Sequence, residues 1–240
     1  MPSKELKQVP TTTIAGITVP NTPLIKASTA YARAHSSDVT YNHIIRSWLF
    51  STIIIQKTAS PGDIDPEVYS LSAILHDLGW DSTGTLVSED KRFEIDGAIA
   101  AREFIEGEVR SGRVQGWDEH RKQLVWDTIA LHTTPSIAMY KQPVVALVGA
   151  GIACDFQGPA SDPTGLLTWD EYNAVVKDFP RLDLAGSIRK IICRFVDTKP
   201  GTTIDTWMQP YGVKYKADTY TVAGKSGIDM VDNALEWWEF

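Results

Sequence analysis

The stretch Ala73-Ile-Leu-His-Asp-Leu-Gly79 decides how this sequence is interpreted. It ends an apolar segment, residues 66–78, whose three-to-four spacing predicts a helix. His76 and Asp77 stand there between leucines, so two polar side chains lie beside a predicted core, where burial without a partner is costly. A divalent cation satisfies both, because it binds an imidazole nitrogen and a carboxylate oxygen. The simpler alternative is a helix end with His76 near the helix dipole and Asp77 in solvent.

Outward from this stretch, the chain has the same helical character. Apolar residues recur at three-to-four spacing from residue 23 onward, with capping residues and turns between the segments. Strand patterns are few, and the Thr- and Val-rich start suits an extended arm or a short strand. The sequence therefore predicts an all-α helical bundle with short flanking extended segments. Helices are predicted from residue 23, across Tyr41 to Ile55, at 66–78, 92–110, 117–133, 143–156, 168–178 and 183–198, and near 226–238.

The length of 240 residues suits one domain with decorated ends. We divide the chain into an N-terminal arm at 1–22, a helical domain at 23–200 and a C-terminal segment at 201–240. The last segment carries Gly, Pro and alternating Tyr and Val residues. We expect it to dock on the helical domain.

Composition limits the classes of function. The chain has 43% hydrophobic and 22% charged residues, which is typical of globular proteins and argues against a disordered or fibrous chain. Its net charge of −7 repels phosphate backbones, so a nucleic-acid partner is not expected. No apolar run reaches the length of a membrane span, the start has no secretory pattern, and the cysteines number two. We expect a cytoplasmic protein, with the nucleus as an alternative, acting on a small molecule; homo-oligomerisation is left open.

Three further polar residues lie in apolar helical segments. His43 precedes Ile44 and Ile45, His132 follows Ile129-Ala-Leu131, and Asp155 ends the apolar run that begins at Val144. Each is compatible with an ordinary core histidine or a helix-end acid. Together with His76 and Asp77 they favour a metal site, because helical bundles build such sites from inward side chains on facing helices.

The order His43, His76-Asp77, Asp155 resembles the HD superfamily of metal-dependent hydrolases. Within that superfamily the sequence is most similar to the fungal cyanamide hydratase family, over roughly residues 36–200. The similar pieces, which follow one another in the family's order, are Tyr41-Asn-His43, Leu75-His-Asp-Leu-Gly79, Arg92-Phe-Glu-Ile-Asp-Gly97, Ile129-Ala-Leu-His132, Cys154-Asp-Phe-Gln-Gly158 and Phe179-Pro-Arg181.

The resemblance implies an HD-domain helical bundle that holds one divalent metal through His43, His76, Asp77 and Asp155. In the cyanamide hydratases this metal is zinc, with Fe²⁺ or Mn²⁺ as alternatives here. It activates water for addition to a nitrile carbon, which converts cyanamide to urea. The resemblance therefore implies a zinc-dependent hydratase, a lyase. The alternative is an HD-type metal-dependent hydrolase that cleaves a phosphoester or an amide-like C–N bond in a small metabolite.

Roles for the surrounding residues follow from the resemblance and from their positions. The candidates for proton transfer are His132, Glu94 and Lys91, with Asp77 beside the metal. The candidates for substrate binding are Arg46, Thr133, Trp80 and Phe156. Arg46 follows His43 by three residues, so the two side chains share a helical face.

The sequence departs from the family at two places. In the cyanamide hydratases we expect a segment that reads Met-Ser-Phe, then an acidic and an aliphatic residue, then Tyr-Gly-Gly. At the matching positions 91–98 this sequence reads Lys-Arg-Phe-Glu-Ile-Asp-Gly-Ala. The family is expected to have acidic residues after the histidine that matches His132, whereas this sequence has Thr133 and Thr134 there. Retained ligands with an altered pocket wall indicate a relative with another substrate.

Two other classes remain open at this point. A di-iron oxygenase of the HD type needs two more histidines between Asp77 and Asp155, where the sequence offers only His120 and His132. A binding or scaffold protein would keep the ligands without an open coordination position. One zinc per chain favours the hydratase or hydrolase, and two irons favour the oxygenase.

Overall fold

The computed structural model describes residues 9–58 and 60–237, apart from the side chain of residue 61. The first eight residues of the predicted arm, and residue 238 at the end of the last predicted helix, lie outside this part. The expectation of an all-α fold is confirmed. The described helices are α1 (Pro23–His35), α2 (Asp38–Lys57), α3 (Pro66–Leu75), α4 (Phe93–Arg110), α5 (Glu119–Leu131), α6 (Pro135–Ala138), α7 (Pro143–Gln157), α8 (Trp169–Asp178), α9 (Leu184–Thr198), α10 (Gln209–Tyr215) and α11 (Gly227–Glu236).

The short strand expected near the start is half of a hairpin. Strands β1 (Thr11–Ile14) and β2 (Ile17–Pro20) pair antiparallel, with Ile14 opposite Ile17. The two residues between them, Ala15 and Gly16, both have positive φ, at 49° and 78°. Two such residues match the right-handed twist of the strands, which is why this turn suits a hairpin.

The helix predicted over 66–78 ends earlier than expected. α3 stops at Leu75, and a 3₁₀ turn follows at Leu78–Trp80, so His76 and Asp77 lie in the junction between them. Gly79 is needed in this turn, because a Cβ atom there would lie 1.9 Å from the carbonyl oxygen of Phe93. Because this 3₁₀ turn packs closely against the start of α4, the chain leaves the path of α3 after Leu75.

Two compact units make up the chain. The larger comprises the chain up to Val87 together with Phe93–Leu182, and the smaller comprises Ser88–Arg92 together with the chain from Asp183 onward. The predicted domain boundaries at 22 and 200 remain a prediction. None of the described helices is both long and apolar enough to cross a membrane.

Within the larger unit, α2 is the central helix, buried along most of its length and packed against α7 and α3. α2 and α7 come closest where Gly151 faces Ser51: a Cβ atom on Gly151 would lie 2.2 Å from the Ser51 Oγ. This contact lies about one turn from Asp155 on α7. Helix packing therefore determines how Asp155 meets α2.

Within the smaller unit, α10 is not anticipated by the sequence. The alternation of Tyr211, Val213 and Tyr215 has the period of a strand, yet the segment is helical. Gly212 lies against the ring of Tyr220, whose hydroxyl is 2.8 Å from Thr203 Oγ1. A tertiary contact therefore overrides the local pattern.

Candidate metal centre

Three residues of the larger unit form a cluster that can hold a metal: His43, His76 and Asp77. His43 lies in the second turn of α2, which Ser37 caps at its N-terminus. His76 and Asp77 follow the last residue of α3. All three are at most 2% exposed, so the cluster lies inside the packed helices rather than on a solvated helix end.

The ligand atoms of the cluster form a nearly equilateral triangle. The Nε2 atoms of His43 and His76 are 3.1 Å apart, and Asp77 Oδ2 lies 3.3 Å and 3.2 Å from them. In a tetrahedral zinc site with bonds of about 2.0–2.1 Å, neighbouring ligand atoms are about 3.3–3.4 Å apart. The triangle thus has the dimensions of one face of such a site.

Hydrogen bonds at the opposite ring nitrogens orient both imidazoles. His43 Nδ1 lies 2.6 Å from Asp155 Oδ2, and His76 Nδ1 lies 2.7 Å from the Ala73 carbonyl oxygen. Both acceptors lack a proton, so each Nδ1 is the donor and each Nε2 is left for a ligand. Two Nε2 lone pairs cannot face each other at 3.1 Å without a positive group between them. Either a proton or a metal cation must lie there.

The carboxylate of Asp77 faces histidine nitrogens: its Oδ2 lies 3.3 Å from Nε2 of His43 and 3.2 Å from Nε2 of His76. Among the described residues, neither of its buried oxygens has a hydrogen-bond donor in suitable geometry. Buried polar atoms are nearly always paired, so this carboxylate calls for a positive charge between it and the two nitrogens, either the proton on His43 or a bound cation. The chemistry of the donors, two imidazoles and one carboxylate, fits a divalent transition metal such as zinc.

Charges within the cluster shift the pKa values in opposite directions. Burial alone lowers the pKa of His43, but the hydrogen bond to Asp155 and the negative charges of Asp155 and Asp77 outweigh it and raise the pKa to about 9. Burial alone raises the pKa of Asp77, but the neighbouring His76 and His43 hold it well below its usual range. Without a metal, His43 is therefore protonated at neutral pH, and Asp77 is ionised.

His132 lies beside this cluster at the end of α5. Its Nδ1 lies 2.7 Å from the carbonyl oxygen of Ile129, so its Nε2 faces Asp77 Oδ1, at 3.7 Å. Its ring meets that of His76 edge-on, with centroids 5.0 Å apart. Burial, and then the nearby charge of His76, lower the pKa of His132 to about 4. At neutral pH His132 is therefore a neutral imidazole that carries its proton on Nδ1 and none on Nε2.

Two predicted catalytic-site residues meet next to His132. Glu94, in the first turn of α4, is fully buried, and its carboxylate accepts a hydrogen bond from the hydroxyl of Thr133. The negative charge of Glu94 also acts on His132, since it favours the protonated imidazole. Glu94, Thr133 and His132 thus form one polar group beside the cluster.

Aromatic rings surround the histidines. The predicted substrate contacts Trp80 and Phe156 lie against His43, with centroids 5.9 Å and 4.7 Å away. Phe93, which sequence reasoning missed as a site residue, lies 5.7 Å from the ring of His132 and 5.6 Å from Trp80. The only available signal is its position next to Glu94. Trp80 and Phe93 are buried, and such apolar walls strengthen the electrostatic interactions beside them, whereas Phe156 is 42% exposed.

Asp155 and Arg46 lie on the far side of the His43 ring. Asp155 is fully buried but lies outside the three-residue cluster, so its assignment as a metal ligand remains a prediction. Arg46 Nε donates to Asp155 Oδ1 at 2.6 Å, and Arg46 Nη2 donates to Asp155 Oδ2 at 2.7 Å. Arg46 also donates from Nη1 to the main-chain carbonyls of residues 179 and 180. These four bonds use four of the five N–H donors of the guanidinium expected to bind substrate.

Lys91 belongs to the smaller compact unit, unlike the cluster. Its ammonium group lies 2.7 Å from Asp90 Oδ1, and its main-chain carbonyl accepts a hydrogen bond from Lys199 Nζ at 2.8 Å. Its proposed part in proton transfer stays a prediction.

Comparisons with known proteins add no assignment. No family model matches the chain, and the search of curated proteins returned no significant relative. The resemblance to the HD superfamily therefore rests on the motifs quoted above, and the cluster's function is argued from its geometry.

Proposed function

We propose that this protein is a metal-dependent enzyme that adds water to a small nitrile-like compound, with cyanamide or a related molecule as substrate and zinc as the preferred metal. The observation that carries the proposal is the buried triangle formed by the Nε2 atoms of His43 and His76 and by Oδ2 of Asp77, 3.1–3.3 Å apart. The order of the HD-type motifs supports the same chemistry.

In this proposal each residue has a defined task. His43, His76 and Asp77 hold the cation, which when bound lowers the pKa of water to about 7 and so makes hydroxide available at neutral pH. His132, neutral and beside Asp77 Oδ1, accepts a proton at Nε2 and returns it to the nitrogen of the substrate. The carboxylate of Glu94 stabilises the protonated form of His132 during this transfer.

The surroundings favour a small, uncharged substrate. Trp80, Phe93 and Phe156 present ring surfaces to the histidines. A phosphoester would need several donors for its three equatorial oxygens. Of the cationic donors considered from sequence, Arg46 has four of its five N–H donors bound to Asp155 and to main-chain carbonyls. A phosphohydrolase is therefore the less supported alternative.

Metal analysis and a substrate screen test this proposal. The purified protein should contain about one zinc per chain and form urea from cyanamide or hydrate another small nitrile. A chelator should abolish the activity, and zinc should restore it. Phosphate release from nucleotides, with no activity on any nitrile, would contradict the proposal.

A further inference from the structure

We propose that Asp155 is a positioning residue of the metal centre rather than one of its ligands, and that Arg46 fixes Asp155 for this task. The inference rests on the metal site of the proposed function. It departs from the ligand set that the HD resemblance implies, and it is argued from the contacts of Asp155 and Arg46.

The first observation is the edge of the ring that Asp155 contacts. Its Oδ2 lies 2.6 Å from Nδ1 of His43, whereas Nε2 of the same ring faces His76 and Asp77. The two nitrogens of an imidazole point in diverging directions. A carboxylate bound at Nδ1 therefore lies behind the ring as seen from a cation at Nε2. This is the arrangement of a carboxylate–histidine–metal relay, in which the carboxylate fixes the tautomer and the ring orientation.

The second observation is how fully the oxygens of Asp155 are used. Oδ1 accepts from Arg46 Nε, and Oδ2 accepts from both Arg46 Nη2 and His43 Nδ1. The guanidinium neutralises the charge in a bidentate pair. Asp77, by contrast, has no suitable donor on either oxygen within the described residues. Asp77 Oδ2 meets the Nε2 atoms of His43 and His76 at 3.3 and 3.2 Å, so a cation that replaces the His43 proton takes over these contacts. At Asp155 a cation would first have to displace the donors of Arg46.

The third observation is the anchoring of Arg46. It is 0% exposed, and its Nη1 donates to the carbonyl oxygens of Phe179 and Pro180 at 3.0 and 3.1 Å. Its guanidinium therefore cannot turn away and release Asp155 without breaking further buried hydrogen bonds. Arg46 fixes Asp155, and Asp155 fixes the ring of His43, so the cation site is preorganised through two successive contacts.

Cobalt(II) titration of two matched variants tests the inference. Asp155→Asn and Asp77→Asn make the same change in two buried carboxylates. We expect Asp155→Asn to bind one Co²⁺ with the absorption spectrum of the wild type and an affinity reduced roughly 10–100-fold, the usual loss for an outer-shell partner. Asp77→Asn should change the spectrum and lose more affinity, because it removes a ligand atom.

A spectrum of Asp155→Asn that changes as that of Asp77→Asn does would overturn the inference. If the single variant fails to fold, the double variant Arg46→Met with Asp155→Leu removes both buried charges together and takes its place; it should keep the wild-type spectrum. A wild type that binds no Co²⁺ overturns the metal site and this inference with it. A wild type that binds Co²⁺ but hydrates no nitrile overturns the proposed reaction alone.

Discussion

The two edges of the His43 ring face two buried carboxylates in opposite situations. On the Nε2 side, Asp77 is 2% exposed and has no suitable hydrogen-bond donor among the described residues. On the Nδ1 side, Asp155 is 0% exposed and accepts three hydrogen bonds from Arg46 and His43. The carboxylate of Asp155 therefore has its hydrogen-bond donors in place, whereas that of Asp77 does not. Burial alone does not show which carboxylate is a metal ligand. The number of hydrogen-bond donors that each carboxylate already has distinguishes the two.

The difference also concerns what holds each region together. The pair of Arg46 and Asp155 neutralises its own charge, so it needs no cation to remain buried. Burial alone would raise the pKa of Asp155, but the guanidinium of Arg46 and the imidazole of His43 hold it well below the usual range. The buried negative charge of Asp77 must be balanced by a positive charge, which the proton on His43 supplies when no metal is bound. Each of the following experiments removes one part of this comparison.

The largest effect is expected for Asp77→Asn. The variant should lose most of its bound zinc, a loss greater than the roughly 10–100-fold typical of an outer-shell partner, because a ligand and its charge disappear together. Nitrile hydration should fall to background. Asp162→Asn is the control, since that buried carboxylate accepts hydrogen bonds from residues 164, 166 and 167 of its own loop. Zinc content by elemental analysis decides the matter, and full occupancy in Asp77→Asn would remove Asp77 from the site.

The next effect concerns His132. His132→Ala should retain zinc but lose about 10²–10⁴-fold in rate, the usual span for general acid–base catalysis. Steady-state rates and metal content measured on the same sample separate the two properties. Loss of zinc in this variant would instead place His132 among the ligands, which its 3.7 Å distance to Asp77 Oδ1 makes a specific alternative.

Arg46 carries the third prediction, on stability. Arg46→Met should lower the free energy of unfolding by about 3–5 kcal/mol, because it removes the bidentate partner of a buried carboxylate and leaves Asp155 with His43 alone among the donors named above. Urea unfolding measures the change. Arg102→Met is the matched control: its ion pairs with Glu106 and Glu119 are partly exposed, so its loss should cost only about 0.2–1 kcal/mol. Equal effects of the two substitutions would contradict the account of the Asp155 side.

Two glycines of α7 provide the smallest test. Gly151→Ala should destabilise the protein by about 1–3 kcal/mol, since its Cβ atom would meet Ser51 at the closest approach of α2 and α7. Gly149→Ala meets nothing within 4 Å and should be neutral or stabilising by up to about 1 kcal/mol. Thermal unfolding of both variants checks the contrast. A stabilising Gly151→Ala would show that this contact does not set the position of Asp155.

Much of this architecture is readable from the sequence, because the helices have strong apolar periodicity and clear caps. The bounds of α4, α5, α8 and α9 differ from the predicted ones by no more than two residues. The end of α3 could not be predicted from the sequence, because it depends on the tertiary contact of Gly79 with Phe93. The same holds for α10, where the packing of Tyr220 on Gly212 overrides the strand-like alternation.

The candidate site divides in the same way. The motif order and the apolar neighbours select His43, His76 and Asp77, and the structure brings these three together. Sequence cannot show which edge of an imidazole a carboxylate meets, so it could not distinguish the contacts of Asp155 from those of Asp77. Nor could it show that Arg46 already has buried partners, since those lie more than 100 residues away along the chain.

Zinc titration of the metal-free wild-type protein tests the central claim most directly. With a pKa of about 9, His43 is protonated at pH 7.5 and must lose that proton to bind a cation. The stability that this proton contributes is fully present below pH 6.5 and is lost as the pH rises through about 9. Calorimetry in buffers of different ionisation enthalpy should therefore give one zinc per chain, about one proton released, and an affinity that rises toward pH 9. Absence of zinc binding, or binding that releases no proton and does not change with pH, would contradict the account.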